Sequence, residues 1–252
     1  MTGGTQERLA AVILAAGHGK RMKSDLPKVL HTVGDIPMVV HVIGQARSSG
    51  ADPIVVIVGH GREHVIPVVE AEGVSHAVQE QQLGTGHAVQ SAEAALDGFH
   101  GDILILSGDV PLLSHETIDR LLAYHRDKGV VATVVTALAE DPTGYGRILR
   151  GENEMVTGIR EHKDCSEEEL GVREINSGIY LFRADVLFNA LGRLKNDNAQ
   201  GEYYLTDVFA DFFGAGLPVG AYTGDFNEIT GVNSQEDLKR VEEIWVARQG
   251  KS

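Results

Sequence analysis

The sequence predicts an α/β fold with a mostly parallel central sheet and a smaller second lobe. In the first half, short runs of aliphatic and β-branched residues alternate with longer stretches of helical spacing, as in repeated βαβ units. The first four runs are short and mainly apolar, which suits strands buried on both faces. The second half lacks this alternation and contains shorter extended pieces between polar loops.

The first half contains five candidate strands, with helices expected between them. The strands are predicted at Leu9–Leu14, Ile54–Val58, Val74–Val78, Asp102–Leu106 and Val130–Leu138. Apolar residues recur at helical spacing before Gly50 and again before Gly129. Because glycine is favoured just beyond the last turn of a helix, we expect one helix to end at each of these positions.

The second half is predicted to mix short strands with three helices. Extended pieces are predicted at Gly146–Ile148, Val156–Ile159 and Ile175–Phe182, and helices at Asp185–Leu194, Tyr204–Phe213 and Gln235–Arg248. The acidic run Glu167–Glu169 is typical of a solvated loop or of a helix start.

The net charge of −14 argues against nucleic acid or anionic lipid as a partner, because both are polyanions. The single cysteine, Cys165, cannot form an intramolecular disulfide, and the polar N-terminal residues 1–8 lack the apolar core of a signal peptide. No apolar stretch reaches the roughly 18 residues that a membrane span requires. We therefore expect a cytoplasmic protein that binds neither nucleic acid nor membrane.

A glycine-rich loop follows the first predicted strand, in the run Ala15-Ala16-Gly17-His18-Gly19-Lys20-Arg21-Met22. Small residues let a backbone approach a bulky anion and expose several amide N–H groups, so the loop indicates a nucleotide-phosphate site. Four cations lie in or soon after it, against the single acidic residue Asp25: Lys20, Arg21, Lys23 and Lys28. The alternative interpretation is a glycine turn before a solvated helix. A dinucleotide fingerprint would need glycine at Met22, and a Walker loop would need Gly-Lys-Ser/Thr.

The run His60-Gly61-Arg62-Glu63-His64 matches the His-x-x-Glu-His pattern of some zinc peptidases. That pattern needs both histidines on one face of a regular helix. Because Gly59 and Gly61 interrupt the segment directly after a strand, we do not interpret it as a zinc site.

The segment from Leu14 to Met22, followed after five residues by Lys28, resembles the signature of nucleotidyltransferases that activate sugar 1-phosphates. Further segments, spread over almost the whole chain, are similar to the uridylyltransferase domain of the bacterial bifunctional N-acetylglucosamine-1-phosphate uridylyltransferase/glucosamine-1-phosphate acetyltransferases. They are Gln79–His87, Gly108–Leu112, Asp141–Ile148, Glu161–Asp164, Asn176–Gly178, Asn198–Asp207 and Gly231–Asn233.

The resemblance implies a Rossmann-like nucleotidyltransferase (nucleotide-diphospho-sugar transferase) fold with a mostly parallel sheet and a smaller sugar-binding lobe. It implies one domain over residues 1–252, with a nucleotide-binding half at about 8–140, a sugar-phosphate-binding half at about 141–233 and a C-terminal helix within 234–252. The implied activity is Mg²⁺-dependent transfer of a uridylyl group from UTP to N-acetylglucosamine 1-phosphate, which gives UDP-N-acetylglucosamine and pyrophosphate. This product would supply cell-envelope synthesis, including peptidoglycan.

The resemblance also assigns candidate site residues by position. Those implied for the uridine nucleotide are Leu14, Ala15, Ala16, Gly17, Gln79, Gly84 and Thr85. Those implied for the sugar are Gly146, Glu161, Asn176, Tyr204 and Thr206. Arg21 and Lys28 are the implied catalytic cations, and Asp109 with Asn233 the implied Mg²⁺ ligands. A carboxamide such as Gln79 matches the donor and acceptor edge of uracil, and Mg²⁺ prefers carboxylate, carbonyl and phosphate oxygens.

Three alternatives stay open: a nucleotidyltransferase for another sugar phosphate or triphosphate, a glycosyltransferase, and a catalytically idle homologue that binds a UDP-sugar. The glycosyltransferases of related fold often carry Asp-x-Asp, whereas Ser107-Gly108-Asp109 holds one aspartate. The sequence contains no hexapeptide repeats, so we expect no acetyl-CoA chemistry, and the oligomeric state stays open.

Overall fold

The structure of the protein is a computed structural model that describes residues 8–151 and 155–250. The polar segment 1–7 and residues 251–252, at the end of the predicted C-terminal helix region, lie outside the described residues. Nine of the described strands form one sheet: β1 (Leu9–Ala15), β4 (Ile54–Val58), β5 (Ser75–Val78), β6 (Asp102–Ser107), β7 (Ala132–Leu138), β8 (Gly146–Arg150), β9 (Val156–Arg160), β10 (Glu174–Arg183) and β11 (Val219–Thr223). A separate small ribbon pairs β2 (Thr32–Val33) with β3 (Ile36–Pro37).

The sheet is parallel around β1 and is interrupted by one antiparallel strand. Its order is β11-β7-β10-β6-β1-β4-β5, with β8 and β9 branching from β10. β1 pairs in parallel with β4 and β6, and β7 pairs in parallel with β11. β10 runs antiparallel between β6 and β7. The carboxyl ends of β1, β4 and β6 therefore open on the same edge of the sheet, where ligands bind in open α/β sheets.

The helices cover both faces of the sheet. They are α1 (Met38–Ser48), α2 (Arg62–Ala71), α3 (Thr85–Gln90), α4 (His115–Lys128), α5 (Glu167–Leu170), α6 (Ala184–Leu191), α7 (Val208–Gly214), α8 (Phe226–Ile229) and α9 (Gln235–Gln249). One apolar core packs α1, α2 and α4 against β1 and β4, and a second packs α3, α6 and α7 on the opposite face. Alternate residues of β1 enter the two cores, so Ile13 lies in the first and Val12 in the second.

The predicted fold class is confirmed, whereas several predicted boundaries differ. The helix predicted at Tyr204–Phe213 begins as α7 only at Val208, because Leu205–Asp207 form a tight 3₁₀ turn. The helix predicted at Asp185–Leu194 is α6 and ends at Leu191. The strands predicted from Val74 and Val130 begin one and two residues later, at Ser75 and Ala132.

The second half of the chain also contributes to the central sheet rather than forming a wholly separate lobe. β10 lies between β6 and β7, and β11 forms the sheet edge beside β7. Only β8, β9 and the neighbouring loops lie off the main path of the sheet. The acidic run Glu167–Glu169 forms the start of α5, with a capping box from Ser166 and Glu169.

The interruption predicted within His60–His64 is confirmed. Gly61 has φ +67° and precedes the first residue of α2, Arg62, so His60 lies outside the helix that contains His64. Across the two described ranges, no helix combines the length and the apolar character that a membrane span requires.

Candidate active site

A continuous cleft opens where β1 and β6 end. Two adjoining cavities of about 370 and 210 Å³ share Leu14, Thr85 and Ser107 in their walls. The first is lined by the loop after β1 and the segment that includes Gln79 and Gly84, together with Lys28 and Asp109. The second is lined by Gly146, Glu161 and Asn176. The cleft thus has room for one elongated ligand, or two smaller ones, across the sheet edge.

The conformation of the loop after β1 depends on Gly19 and on the buried side chain of Met22. Gly19 has φ +59°, and a Cβ there would lie 2.8 Å from Lys28 Cβ. The following turn, Lys20–Met22, buries Met22 in a small core at 1% exposure. The part of the loop before Gly19 exposes Gly17 and His18 to the cleft. Close approach of a backbone to an anion requires this absence of bulky side chains.

Gln79 forms the buried wall of the first cavity. Its side chain is only 3% exposed, and its Nε2 donates to the carbonyl of Gly84 at 3.0 Å and lies 3.0 Å from His87 Nδ1. Gln82 Nε2 donates to the carbonyl of Gln79 at 3.1 Å. The amide nitrogen of Gln79 thus shapes its own loop, and Oε1 is the side-chain atom that can accept from a ligand.

The segment Leu83–Thr85 is joined to a distant part of the chain. Tyr203 donates its N–H to Leu83, and Gly86 donates to Tyr203, each at 2.8 Å. Thr85 Oγ1 accepts from the N–H of Leu205 at 3.0 Å. Gly84 has φ +116°, and a Cβ there would lie 2.6 Å from the Tyr203 carbonyl oxygen. Only glycine fits this position without movement of the backbone.

Asp109, Lys28 and Asn233 meet at the wall of the first cavity. The Lys28 ammonium forms a close ion pair with Asp109 Oδ2 and donates to Asn233 Oδ1 at 3.1 Å. Asp109 lies two residues beyond the end of β6, as the apolar run before it predicted. Oxygens from two residues far apart in the sequence therefore converge on one cationic group.

Asn233 reaches this point because α9 packs against the loop after β1. The N–H of Val232 donates to the carbonyl of Asp109 at 2.9 Å, and Gln235 Nε2 donates to the carbonyl of Met22 at 3.1 Å. Val232 and Val241 are fully buried beside Met22 in the same small core. The apolar face of the predicted C-terminal helix thus fixes the position of a candidate metal ligand.

Asp109 and Asn233 suit a divalent cation. The Lys28 ammonium acts as a stand-in ion, because it contacts one carboxylate oxygen and one carboxamide oxygen at the same time. Mg²⁺ usually takes one or two protein oxygens and completes its octahedron with substrate phosphates and water. Among the described residues there is no group of three or more His, Cys, Asp or Glu side chains that could hold a metal. A two-residue site that relies on ligand phosphates fits both observations.

Glu161 forms the polar wall of the second cavity. It directly follows β9, and its Oε1 accepts from Thr206 Oγ1 at 3.0 Å. Burial raises the pKa of the Glu161 carboxyl, although the hydrogen bond from Thr206 partly offsets this. The site therefore presents a strong hydrogen-bonding group in an environment that disfavours its charge.

Asn176 is held rigidly beside Glu161. Its Nδ2 donates to Tyr180 Oη at 2.7 Å, and its Oδ1 accepts from the N–H of Gly178 at 3.1 Å. The pairing of β10 shifts register between Asn176 and Tyr180, which turns this segment toward the cleft. Gly146, at the start of β8, pairs with Asn176 and completes the wall.

The structure brings most of the predicted residues together and leaves four outside the cleft wall, one of which, Asn233, still contacts Lys28. Arg21 is exposed and does not line either cavity. Tyr204 and Thr206 are buried behind the wall, where Thr206 supports Glu161 and Tyr204 Oη accepts from Gln200. Residues that line the cleft but were not predicted include His18, Gln82, Ser107, Tyr145, Tyr180 and Glu202. Ser107 was detectable, since it directly precedes Gly108-Asp109 at the end of a predicted strand.

A larger cavity of about 680 Å³ lies at the opposite edge of the sheet. It surrounds Asp102, the first residue of β6, which accepts a hydrogen bond from Arg126 Nε at 3.2 Å. None of the predicted site residues lies there. We therefore place the candidate active site in the smaller cleft, where a phosphate-type loop and a cation centre converge.

The open α/β sheet, the glycine loop after β1 and the Asp109 centre define a nucleotidyltransferase. A family model described as "MobA-like NTP transferase domain" matches residues 11–202, and the chain belongs to this family.

Similar curated proteins are about twice as long as this chain. A "Bifunctional protein GlmU" from an Exiguobacterium species is 52% identical over 239 residues, which cover 94% of this chain and 53% of that protein. One from Clostridium botulinum is 49% identical, with 93% and 51% covered. The resemblance predicted from the motifs is thus confirmed, and the chain spans about half the length of these relatives.

Two solved structures share the fold at low sequence identity. A putative glucose-1-phosphate thymidylyltransferase from Bacillus anthracis aligns with a TM-score of 0.74 at 23% identity, covering 94% of each chain. A UDP-glucose pyrophosphorylase aligns with a TM-score of 0.78 at 17% identity, covering 96% of this chain and 99% of that one. At these identities the likeness concerns the fold alone.

Proposed function

We propose that the protein transfers a uridylyl group from UTP to N-acetylglucosamine 1-phosphate, with Mg²⁺ as cofactor. The observation that carries this proposal is the continuous cleft, which has a phosphate-type loop and the Asp109 centre in its first cavity and a polar wall in its second. The relatives named GlmU, at about 50% identity over most of this chain, favour this activity over other members of the fold. The protein would act in the cytoplasm, and its product would supply cell-envelope synthesis.

The nucleotide end would bind UTP mainly through backbone and small side chains. Leu14, Ala15, Ala16 and Gly17 leave room for the ribose and phosphates at the end of β1. Gln79 Oε1 would accept from the N3–H of uracil, while Gly84 and Thr85 would border the base. A cytosine presents an unprotonated N3 at this position, so the site would reject it by leaving Oε1 without a donor.

The reaction would join a sugar-phosphate oxygen to the α-phosphorus of UTP while the bond from that phosphorus to the leaving pyrophosphate breaks. The attacking phosphate is already ionised near neutral pH, so no general base is needed. Rate enhancement then depends on alignment of two polyanions and on neutralisation of their charge. Mg²⁺ bound by Asp109 and Asn233 would supply charge neutralisation at the phosphates.

Lys28 and Arg21 would supply fixed positive charge. Lys28 already lines the cleft beside Asp109, within side-chain reach of phosphates on the glycine loop. Arg21 is exposed next to that loop, and we propose that it folds over the leaving phosphates when UTP binds. Neither side chain supports the core, so their removal should affect rate more than folding.

The sugar end would recognise hydroxyl and acetamido groups. Glu161 and Asn176 present side chains to the second cavity, and Gly146 leaves space for the sugar ring. Thr206 would act by holding Glu161 in place, and Tyr204 would hold the neighbouring segment through Gln200. A buried hydrogen-bonding wall of this kind selects strongly against ligands that lack the matching group.

Pyrophosphate release measures this proposal directly. Purified protein with Mg²⁺ should release pyrophosphate from UTP and N-acetylglucosamine 1-phosphate, and EDTA should abolish the release. Glucose 1-phosphate and dTTP serve as matched controls, because each differs from the proposed substrate by one or two groups. Preference for glucose 1-phosphate or dTTP would require a different substrate assignment within the same cleft. No release with any pair would favour a homologue that binds without catalysis.

A further inference from the structure

Lys28 occupies the point that a cation bound to Asp109 and Asn233 would need. Its Nζ contacts Asp109 Oδ2 and Asn233 Oδ1. The side chains of Lys28 and Asp109 are largely shielded from solvent, at 17% and 15% exposure. A divalent cation held by Asp109 and Asn233 would need the same two oxygens that Lys28 now contacts. Two cations cannot occupy that position together, because their repulsion is strong in a shielded site.

The backbone of Lys28 is fixed, so that only its side chain can give way. Lys28 begins a 3₁₀ turn in which Val29 and Leu30 are buried, and the N–H of Leu30 donates to Pro27 at 2.9 Å. The base of the side chain lies against Gly19 in the glycine loop. The flexible four-carbon stem can therefore carry the ammonium from Asp109 toward anions on that loop without a change in the backbone.

We propose that Lys28 is a built-in competitor of the divalent cation. Without nucleotide, its ammonium neutralises the Asp109–Asn233 pair and keeps the metal affinity of the protein low. Nucleotide phosphates draw Lys28 away, so that the cation binds tightly only together with nucleotide. This second role of Lys28 rests on the proposed function for its nucleotide dependence, whereas the competition itself concerns only this chain and a metal.

The test measures Mn²⁺ binding to the full chain without nucleotide. The EPR signal reports the Mn²⁺ that stays free in solution. Lys28→Met removes the charge and keeps the length of the stem, and Lys20→Met is the matched control in an exposed position of the same loop. Lys28→Met should bind Mn²⁺ at least about tenfold more tightly than the wild type, which is about 1.4 kcal/mol. Lys20→Met should bind within about twofold of the wild type.

Adding Asp109→Asn to Lys28→Met tests whether the extra Mn²⁺ affinity comes from the Asp109 site. The extra affinity of Lys28→Met should disappear in the Lys28→Met/Asp109→Asn double variant, because the carboxylate is then gone. Saturating UTP should shrink the difference between wild type and Lys28→Met to less than about threefold, since Lys28 no longer competes. Circular dichroism of each variant checks folding, and Lys28→Gln provides a second neutral side chain.

Equal or weaker Mn²⁺ binding by both neutral variants would overturn the proposal, as would extra affinity that survives Asp109→Asn. These outcomes are independent of the substrate assignment, because they need no turnover. Failure of the proposed function would instead appear as an absence of pyrophosphate release by the wild type.

Discussion

The two ends of the cleft are built by different means. The proposed nucleotide end consists of loops that follow strands of the parallel sheet, with backbone and glycine close to the ligand space. The proposed sugar end lies on the antiparallel strands β8, β9 and β10, where side chains are held by other side chains: Glu161 by Thr206, and Asn176 by Tyr180. Substitutions at the first end should act through backbone geometry and charge, and those at the second through individual hydrogen bonds.

Removal of the Asp109 carboxylate should have the largest effect, because the proposed Mg²⁺ site then loses its charged ligand. We expect Asp109→Ala to lower kcat/KM for pyrophosphate release by about 10³-fold while the protein stays folded. Asp25→Ala is the control, since Asp25 is exposed in the loop nearby and should change kcat/KM by less than about twofold. More than a tenth of wild-type activity in Asp109→Ala would remove Asp109 from the reaction.

Gly84→Ala tests the dependence of the nucleotide end on its backbone. Gly84 and Gly73 both have positive φ, at +116° and +68°, but only at Gly84 does a Cβ meet backbone atoms within 3 Å. We expect Gly73→Ala to lower the free energy of unfolding by about 1 kcal/mol and Gly84→Ala by about 3 kcal/mol. Urea denaturation of the two variants gives this comparison. Equal losses would mean that the contact between Gly84 and Tyr203 does not constrain the fold.

Glu161 should make the protein less stable as the pH rises. Its folded-state pKa is raised above the ordinary 4.5, mainly by burial. As the pH increases from about 4.5 through the raised pKa, the unfolded chain loses this proton before the folded protein does, so unfolding becomes more favourable. Glu161→Gln should therefore gain stability relative to the wild type between pH 4 and 7, by about 1.4 kcal/mol for each unit of the pKa difference.

Glu174, the first residue of β10, serves as a control because its pKa is shifted in the opposite direction. Burial raises its pKa, but hydrogen bonds from Arg150 and Thr136 outweigh burial and lower it overall. Wild-type stability from this group is present above pH 4.5 and is lost as the pH falls through the lowered pKa. Thermal unfolding across pH should thus give Glu161→Gln and Glu174→Gln opposite slopes relative to the wild type. Slopes of the same sign would contradict the assigned burial of Glu161.

The nucleotide end could be predicted from sequence better than the sugar end. β1, β4 and β6 are continuous apolar runs, and the glycine loop and Asp109 follow directly from their ends. Local sequence does not encode which distant strands pair. The position of β10 inside the parallel sheet therefore escaped prediction, as did β11, whose residues Val219–Thr223 include a glycine and end in one exposed residue.

The same limit applies to the site residues. Asp109 and Asn233 were predicted by resemblance, but their shared contact with Lys28 depends on how α9 packs beside Met22. The supporting position of Thr206 behind Glu161 likewise depends on the 3₁₀ turn at Leu205–Asp207, which replaces the first turn of a predicted helix. Motifs identified the residues, whereas tertiary packing decides which of them face the ligand.

The division of the cleft is tested most directly by the KM values for both substrates in two variants, Gln79→Ala and Glu161→Ala. We predict that Gln79→Ala raises KM for UTP by about tenfold or more and changes KM for N-acetylglucosamine 1-phosphate by less than about threefold. Glu161→Ala should give the reverse pattern. If each variant raises both KM values equally, the two ends do not bind separate substrates, and the proposed arrangement is wrong.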